Sequence, residues 1–249
     1  MAAEILSVRL DGLSYDEVIS RLKTFLTSEK LHHVIPVNPE FIMATRHDSE
    51  LLKISNAADL TIPDGVGLRF AAKVLRIEVG RRIPGVDLTW EVAKIASDNS
   101  YSIFFLGAAE GIAAKAAERL KKAYPALRIA GTDSGTPDEN GLVDRINNSE
   151  ADILLVAFGV PKQEKFVYEN KNRLTPKIAM SVGGTFDFIA GVVPRAPAWM
   201  RSAGIEWLYR LIKQPQRINR IFTATVRFPV TILISIFLGR KQVEATERI

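Results

Sequence analysis

The stretch YSIFFLGAAEGIAAKAAERLKKAYPALRIAG, residues 101–131, decides the fold. Short apolar runs typical of buried strands lie near its ends, at Ser102–Leu106 and Arg128–Gly131, with an amphipathic helical pattern between them at Gly111–Tyr124. A strand, a helix and a second strand in this order form the unit from which parallel sheets are built. Outward from this unit, similar apolar strand patterns recur at His33–Val37, Leu60–Pro63, Ile153–Phe158 and Ile178–Val182.

Amphipathic helical stretches separate most of these strands, at Tyr15–Ser28, Glu40–Ala57, Val86–Ser97 and Lys162–Asn172. The alternation predicts an α/β fold, a Rossmann-like and mostly parallel sheet with helices on both faces. It stops near Gly191, where basic and aromatic residues with a helical pattern follow. We therefore expect an α/β core over residues 1–194 and a C-terminal basic helical appendage over residues 195–249.

The composition of the chain excludes several classes of protein. The 249 residues are 47% hydrophobic and 24% charged, which is typical of a globular protein and unlike a disordered chain. There is no cysteine, which excludes a disulfide framework, a thiol nucleophile and a Cys-ligated metal, and fits a reducing compartment. The N-terminus shows no secretory signal, so we expect a cytosolic protein.

The positive charge is concentrated in the C-terminal segment. Residues 195–249 hold ten Lys and Arg against three Glu, a net charge of +7, whereas residues 1–194 hold 23 basic and 25 acidic side chains. Such a segment predicts a polyanionic partner: phosphate, anionic lipid or nucleic acid. Its basic residues are mostly arginines interleaved with apolar and aromatic residues, whereas nucleic-acid-binding tails are usually polar and lysine-rich. We therefore expect no nucleic acid.

The apolar run FPVTILISIFLG at residues 228–239 has basic residues on both sides, Arg227 before it and Arg240 and Lys241 after it. A spanning helix needs about 20 apolar residues, so this run predicts a helix that lies in the interface of an anionic membrane. A core helix or a subunit contact is the alternative. Because such a helix exposes apolar surface away from the membrane, we also expect self-association into a homo-oligomer there.

Polar or glycine-rich loops follow five of the strands, and in a parallel sheet such loops meet at one edge, where ligands bind. Each loop alone has an ordinary structural interpretation as a turn, a cap or a glycine that opens a helix. Their coincidence at one edge favours an enzyme that acts on a small molecule. The five loops are NPE at 38–40, PDGVG at 63–67, LGAAEG at 106–111, GVPKQE at 159–164 and GGTFDF at 183–188.

Several chemistries lack their motif in this sequence. GxSxG, GxxxxGK[ST] and HExxH are absent, which argues against an α/β-hydrolase, a P-loop enzyme and a zinc peptidase. There is also no Asp-x-Asp pair, the arrangement with which many sugar-nucleotide enzymes hold a divalent cation. We therefore expect no metal and no other cofactor, so that backbone amides and arginines would neutralise any bound phosphates.

Taken together, seven motifs in order resemble the TagA/WecG/CpsF family of bacterial glycosyltransferases. The resemblance implies transfer of a sugar from a UDP-sugar to polyprenyl-diphosphate-linked N-acetylglucosamine at the cytoplasmic membrane face. The sugar is N-acetylmannosamine in TagA-like members of teichoic acid synthesis, and N-acetylmannosaminuronic acid, glucose or galactose in others. The motifs are NPE at 38–40, ADLTIPDGVG at 58–67, RIPGVDL at 82–88, FFLGAAEG at 104–111, GVPKQEKF at 159–166, GGTFDFIAG at 183–191 with RAPAWMR at 195–201, and GIEWLYRLIKQPQRINR at 204–220.

The resemblance also implies roles for residues of the core. Asp64 matches the carboxylate proposed as the general base that deprotonates the acceptor hydroxyl. Asn38 matches a substrate-contacting asparagine, and Arg82 and Gln163 match polar residues of the donor pocket. Pro36 departs from the pattern, because the family often has a threonine there, so a hydroxyl contact at that position cannot be made.

Further candidate residues concern the diphosphate. The resemblance implies that Arg210, Arg217 and Arg220 fold over the site and neutralise it. From the residues themselves, Gly107 is a candidate contact, since a strand end that opens a helix can hold a diphosphate. A nucleotide-binding, membrane-associated regulatory module without catalysis is the alternative from another functional class.

Overall fold

The structure, a computed structural model, describes residues 2–238. Its centre is a six-stranded sheet in which every neighbouring pair is parallel, in the order β4-β3-β8-β7-β5-β6. The α/β fold with a parallel sheet is thereby confirmed. The strands are β3 at His32–Val37, β4 at Leu60–Pro63, β5 at Ser102–Gly107, β6 at Arg128–Asp133, β7 at Ile153–Ala157 and β8 at Ile178–Ser181.

An N-terminal hairpin precedes the sheet and is not evident from the alternating pattern. Its strands, β1 at Ala2–Ile5 and β2 at Val8–Asp11, pair antiparallel. The turn residues Leu6 and Ser7 both have positive φ, 50° and 70°. The Asp11 carboxylate accepts a hydrogen bond from the backbone N–H of Thr61 at 2.8 Å, which attaches the hairpin to edge strand β4.

Helices cover both faces of the sheet, as alternate strand residues show. Ile103 and Phe105 belong to a core cluster with helices α1, α5 and α6, whereas Phe104 and Leu106 pack with α7 and α8 on the other face. A third cluster joins the hairpin with α2, α3 and α4. These helices are α1 at Tyr15–Leu26, α2 at Pro39–Thr45, α3 at Ser49–Ala57, α4 at Val66–Leu75, α5 at Gly85–Asp98, α6 at Ile112–Ala123, α7 at Leu142–Asn148 and α8 at Lys162–Glu169.

The prediction of one continuous helical stretch over Glu40–Ala57 is wrong. The segment folds into two helices, because Asp48 starts a new one: its carboxylate accepts a hydrogen bond from the Leu51 backbone N–H at 2.9 Å. A side chain that caps a helix from outside it cannot also lie inside the helix. The structure also contains three helices that the sequence pattern does not predict: α4, α7 and a short helix α9 at Thr185–Ile189.

The C-terminal segment is helical in the part that the structure describes. It comprises α10 at Ala198–Ser202, α11 at Glu206–Lys213, a 3₁₀ turn at Pro215–Arg217, α12 at Ile218–Phe222, a π-helical turn at Thr223–Arg227 and α13 at Phe228–Phe237. Arg240 and Lys241, the basic residues predicted to follow the apolar run, lie outside the described residues. The division at residue 194 into two domains stays a prediction.

Helix α13 has two apolar faces with different surroundings. Phe228 and Ile232 are fully buried in the cluster with α2 and α4. The opposite face of the helix is exposed. Its exposed apolar residues include Val230, Leu233, Ile234 and Phe237. Over its described residues 228–238 the apolar run is therefore partly a core helix, the alternative interpretation of the sequence, and partly an exposed apolar surface.

The Phe228→Ala variant should lower the free energy of unfolding by about 3–5 kcal/mol, because it leaves a cavity where α13 meets the core. Phe237→Ala is the matched control: the same substitution on the same helix at a side chain that is 92% exposed should change stability little. Urea unfolding of both variants gives the comparison. Equal effects of the two substitutions would show that α13 is not anchored through Phe228.

Candidate active site

A cleft of about 310 Å³ lies at the carboxyl ends of β4, β3, β8 and β7. Its floor consists of the loops that follow these strands, and the C-terminal segment closes one side. Seven residues singled out from the sequence line it together, although they come from distant parts of the chain. They are Asn38, Asp64, Arg82, Gln163, Arg210, Arg217 and Arg220.

Asp64 follows β4 directly, on a turn that fixes its position. Its backbone N–H donates to the Val37 carbonyl at 2.7 Å, which extends the β4–β3 pairing by one residue. Its carboxylate Oδ2 accepts a hydrogen bond from the Gly85 backbone N–H at 3.2 Å. Gly65 allows the turn, because its φ of +98° lies in the left-handed region that favours glycine.

The charge of Asp64 is set by two opposing effects. Burial raises the pKa of its carboxyl, while the Gly85 N–H and the positive charges of Arg210 and Arg82 partly lower it again. The net pKa lies above the usual range of an aspartate. A carboxylate with a raised pKa is a better proton acceptor than an ordinary one. Asp64 is thus suited to the role of a general base.

Asn38 has a local structural role in addition to any contact with substrate. It caps α2, where its Oδ1 accepts a hydrogen bond from the Phe41 backbone N–H at 2.9 Å. The Oδ1 atom of Asn38 is therefore used within the protein, and the amide nitrogen is the group that can donate a hydrogen bond to a ligand in the cleft. Pro36, two residues earlier, also lines the cleft and offers no hydroxyl.

Gln163 joins two loops of the cleft through one atom. Its Oε1 accepts hydrogen bonds from the backbone N–H groups of Gly159 at 3.1 Å and Gly183 at 3.0 Å. Its Nε2 donates to Oε1 of Glu164 at 2.7 Å. Both side chains are buried, and burial raises the pKa of Glu164 to about 7. The amide oxygen of Gln163, a residue that the resemblance places in the donor pocket, is thus occupied by hydrogen bonds within the protein.

Three arginines of the C-terminal segment lie close together over the cleft. Arg210 stacks on the Phe188 ring, 4.5 Å from its centroid, and lies 3.8 Å from Glu206. Burial and the nearby charges of Arg220 and Arg210 lower the pKa of Arg217. Arg220 forms an ion pair with Glu40. Like charges held this close are an arrangement suited to a polyanion such as a diphosphate.

Sequence reasoning missed further charged residues of the cleft. Arg195, Arg201 and Glu206 line it, and Arg195 forms an ion pair with Asp87 in which two nitrogens face the two carboxylate oxygens, at 2.5 and 3.3 Å. This pair ties the start of the C-terminal segment to α5. The signal that could have found Arg195 and Arg201 was present, because both lie in the quoted motif RAPAWMR.

Gly107 is the one candidate that the structure does not bring into the cleft. It ends β5 with a φ of +91°, and a Cβ there would lie 2.9 Å from the backbone of Ala157. This close approach to β7 explains why a residue without a side chain stands here. A role in binding stays a prediction. Within residues 2–238 no group of three or more His, Asp or Glu is arranged to hold a metal ion.

A parallel α/β sheet whose carboxyl edge brings a carboxylate and a cluster of arginines into one cleft is the arrangement expected of an enzyme that acts on a phosphate-bearing small molecule. The sequence matches the model of the glycosyl transferase WecG/TagA/CpsF family over residues 3–242. The chain belongs to this family and is a glycosyltransferase. The family membership excludes the alternative of a regulatory module without catalysis.

Curated relatives with a stated activity cover most of the chain. One from Staphylococcus aureus is 32% identical over 222 residues, 88% of this chain and 87% of its own. One from Bacillus spizizenii is 31% identical over 207 residues, covering 82% and 80%, and one from Bacillus subtilis 30% over 217 residues, covering 86% and 84%. All three are named N-acetylglucosaminyldiphosphoundecaprenol N-acetyl-beta-D-mannosaminyltransferase.

The buried Glu164 predicts a pH dependence of stability. The unfolded chain loses this proton in the ordinary range near 4.5, whereas the folded protein keeps it until about pH 7, so folding takes up a proton between these values. The contribution to stability is present below pH 4.5 and is lost as the pH rises through 7. The stability of the wild type relative to Glu164→Gln should therefore fall by roughly 3 kcal/mol across this window.

Urea unfolding of both proteins over a pH series tests this expectation. Effects of other titrating groups, such as the buried His33, whose pKa burial lowers to about 3, are common to both proteins and cancel in the difference. A stability difference that stays constant between pH 4.5 and pH 7 would show that Glu164 does not carry its proton in the folded state.

Proposed function

We propose that this glycosyltransferase moves N-acetylmannosamine from its UDP-sugar to polyprenyl-diphosphate-linked N-acetylglucosamine, as in formation of a wall teichoic acid linkage unit. The single observation that carries the proposal is the cleft in which the Asp64 carboxylate faces the arginines of the C-terminal segment. The names of the relatives support the choice of acceptor and of sugar.

Asp64 would act as the general base in a single displacement. It accepts the proton of the acceptor hydroxyl while that oxygen attacks the anomeric carbon of the donor. The bond from that carbon to the diphosphate breaks, and UDP leaves with the electron pair. Because the attack comes from the face opposite the leaving group, the configuration inverts.

The arginines would stabilise the departing UDP and hold the acceptor's diphosphate. Arg210 and Arg217 lie close enough for their charges to repel each other. Among the described residues, Arg210 has one carboxylate partner, Glu206 at 3.8 Å, and Arg217 forms no ion pair. Charge-assisted, often bidentate contacts with phosphate oxygens would relieve their mutual repulsion. Arg82 faces the same cleft from the core and adds to the positive charge near Asp64.

The donor sugar is the part of the proposal with a defined alternative. The same cleft chemistry serves UDP-N-acetylmannosaminuronic acid, UDP-glucose or UDP-galactose in synthesis of another surface polysaccharide. Incubating a panel of these UDP-sugars with a lipid-diphosphate N-acetylglucosamine analogue tests the choice. Release of UDP together with a disaccharide product from UDP-N-acetylmannosamine supports the proposal, and turnover with another donor alone refutes it.

The Asp64→Asn variant should fold, bind the UDP-sugar and turn over about 10²- to 10⁴-fold more slowly, because the acceptor hydroxyl loses its base. Glu206→Gln is the matched control, since Glu206 is a second acid that lines the same cleft. Initial rates and UDP affinity are the measurements. If Glu206→Gln loses the larger part of the activity, or Asp64→Asn keeps it, the base has been assigned to the wrong carboxylate.

Catalysis should proceed without a divalent cation, because arginines supply the positive charge at the diphosphate. Excess EDTA should leave the initial rate largely unchanged. Magnesium or manganese added back afterwards is the control. A rate that is lost with EDTA and restored by either ion would contradict the proposed role of the arginines.

We place the enzyme at the inner face of the cell membrane, as a peripheral protein of the cytoplasmic side. The helical stretch Pro215–Phe237 is long and apolar enough to cross a membrane by length and composition, with a mean hydropathy of 1.5 over an 18-residue window. Its own contacts favour surface docking instead: Phe228 and Ile232 pack on the core, while the remaining apolar face is exposed. Away from lipid, self-association would cover that face.

Two double variants separate docking from catalysis. Leu233→Ser with Phe237→Ser changes only exposed side chains, so it should abolish binding to anionic vesicles and spare activity on a short, soluble acceptor. Arg217→Ala with Arg220→Ala should lower activity even on that soluble acceptor. Vesicle co-sedimentation and UDP release measure the two effects. If the arginine variant keeps full soluble activity and loses only vesicle binding, these arginines are membrane contacts alone.

A further inference from the structure

The buried acid Glu164 is not used by the proposed reaction. It lies in the first turn of α8, directly after Gln163, and its side chain has no exposed surface. Its Oε1 accepts the hydrogen bond from Gln163, and its Oε2 makes no close hydrogen bond among residues 2–238, with the Ser181 hydroxyl as the polar neighbour of the carboxyl. A buried carboxyl without a cationic partner is costly, so its presence beneath a substrate cleft calls for a role.

The Gln163 amide can point in two ways, and only one of them fits its surroundings. With Oε1 toward Gly159 and Gly183, the oxygen accepts from both backbone N–H groups. In the reversed orientation the amide nitrogen, a donor, would face these two donors, and both hydrogen bonds would be lost. Glu164 stabilises the same orientation, because its carboxyl oxygen accepts from the amide nitrogen and would repel an amide oxygen if ionised.

The two turns held by this amide face the substrate. Gly159 follows β7 and Gly183 follows β8, and both line the cleft with positive φ, 79° and 51°. A Cβ at Gly159 would meet no atom within 4 Å, and one at Gly183 would meet only Gln163 Oε1 at 4.0 Å. Both glycines therefore have open space where a side chain would lie, and among the described residues the Gln163 amide oxygen is the side-chain atom that hydrogen-bonds to both turns.

We propose that Glu164 is a positioning residue of the active site: its carboxyl oxygen fixes the orientation of the Gln163 amide, and that amide holds the turns after β7 and β8 against the cleft. The proposal rests on the proposed function for its kinetic consequence only. The turns follow β7 and β8, and β3 separates these strands from β4, after which Asp64 lies. Because the turns are thus at a distance from Asp64, we expect them to affect substrate binding more than proton transfer.

The arrangement does not depend on the protonation of Glu164. A carboxyl oxygen accepts from Nε2 in the neutral and in the ionised form. The other polar groups near this site are the Ser181 hydroxyl, His33 at 3.3 Å from that hydroxyl, and the charges of Lys171 and Asp59 near His33. The oxygen atom, and not the charge, is what the proposal requires, so a glutamine at this position should replace the glutamate.

Three variants test the proposal. Glu164→Gln keeps an oxygen that can accept from Gln163, Glu164→Leu removes it, and Val167→Ala on the same helix lowers stability at a fully buried site outside the cleft. Glu164→Leu should raise KM for the UDP-sugar roughly ten- to a hundredfold with a smaller change in kcat. Glu164→Gln and Val167→Ala should stay close to the wild type in both constants.

Hydrogen exchange of the substrate-free protein gives a readout that needs no activity. Peptides that contain Gly159 and Gly183 should exchange faster in Glu164→Leu and at the wild-type rate in the other two variants. Wild-type exchange in Glu164→Leu, or an equal loss in Glu164→Gln, would overturn the proposal. A wild type inactive on the proposed donor would refute the proposed function and leave the exchange test standing.

Folding of the leucine variant is the remaining condition. If Glu164→Leu does not fold, Glu164→Met takes its place, since methionine also lacks the acceptor and adapts better to an irregular space. If neither folds while Glu164→Gln does, the acceptor serves folding of the whole protein, and the assignment to positioning is wrong.

Discussion

Burial of Phe228 and Ile232 against the core is the contact on which the arrangement of the active site depends. Arg210, Arg217 and Arg220 repel one another, and this repulsion adds to burial in lowering the pKa of Arg217. A free basic tail would separate such charges. Anchoring of α13 at one end, and the Arg195–Asp87 ion pair at the other, hold the segment between them over the cleft. The apolar contacts thus supply the free energy that gathers the charges before any anion binds.

The same arginines also influence the core. Of these, Arg210, together with Arg82 of the core, lowers the pKa of Asp64, whereas burial raises it, and burial is the larger effect. Burial without nearby positive charge would raise the pKa of a carboxyl so far that it keeps its proton. Arginines around an exposed carboxyl would lower its pKa and make it a weak base. The C-terminal segment therefore affects two properties of the cleft at once, its positive charge and the basicity of the Asp64 carboxylate. Loss of its anchoring would alter both.

Gln163 shows how a motif residue can have a role other than the one its position suggests. Its place after β7 made it a candidate for contact with substrate, and it does lie in the cleft. Its oxygen, however, accepts two backbone hydrogen bonds, and its nitrogen is directed to Glu164. Polar side chains at a strand edge can bind a ligand or hold the loops that bind it. Only the hydrogen-bond partners distinguish the two roles.

The sequence by itself determined the parallel sheet, because each buried strand is a short apolar run and each helix has an apolar face, and both patterns are local. It also determined which loops meet at the carboxyl edge and hence that Asn38, Asp64 and Gln163 lie together. It could not show that the stretch from Glu40 divides at Asp48, since a capping hydrogen bond depends on geometry that a periodicity does not contain.

Only the tertiary structure decided the rest. That Arg220 pairs with Glu40, and that one face of α13 is buried while the other is not, depends on contacts between residues far apart in the chain. An apolar run has the same composition whether it covers a core or a membrane. Whether a face of α13 is buried depends on which residues lie opposite it, and the fold determines which residues those are.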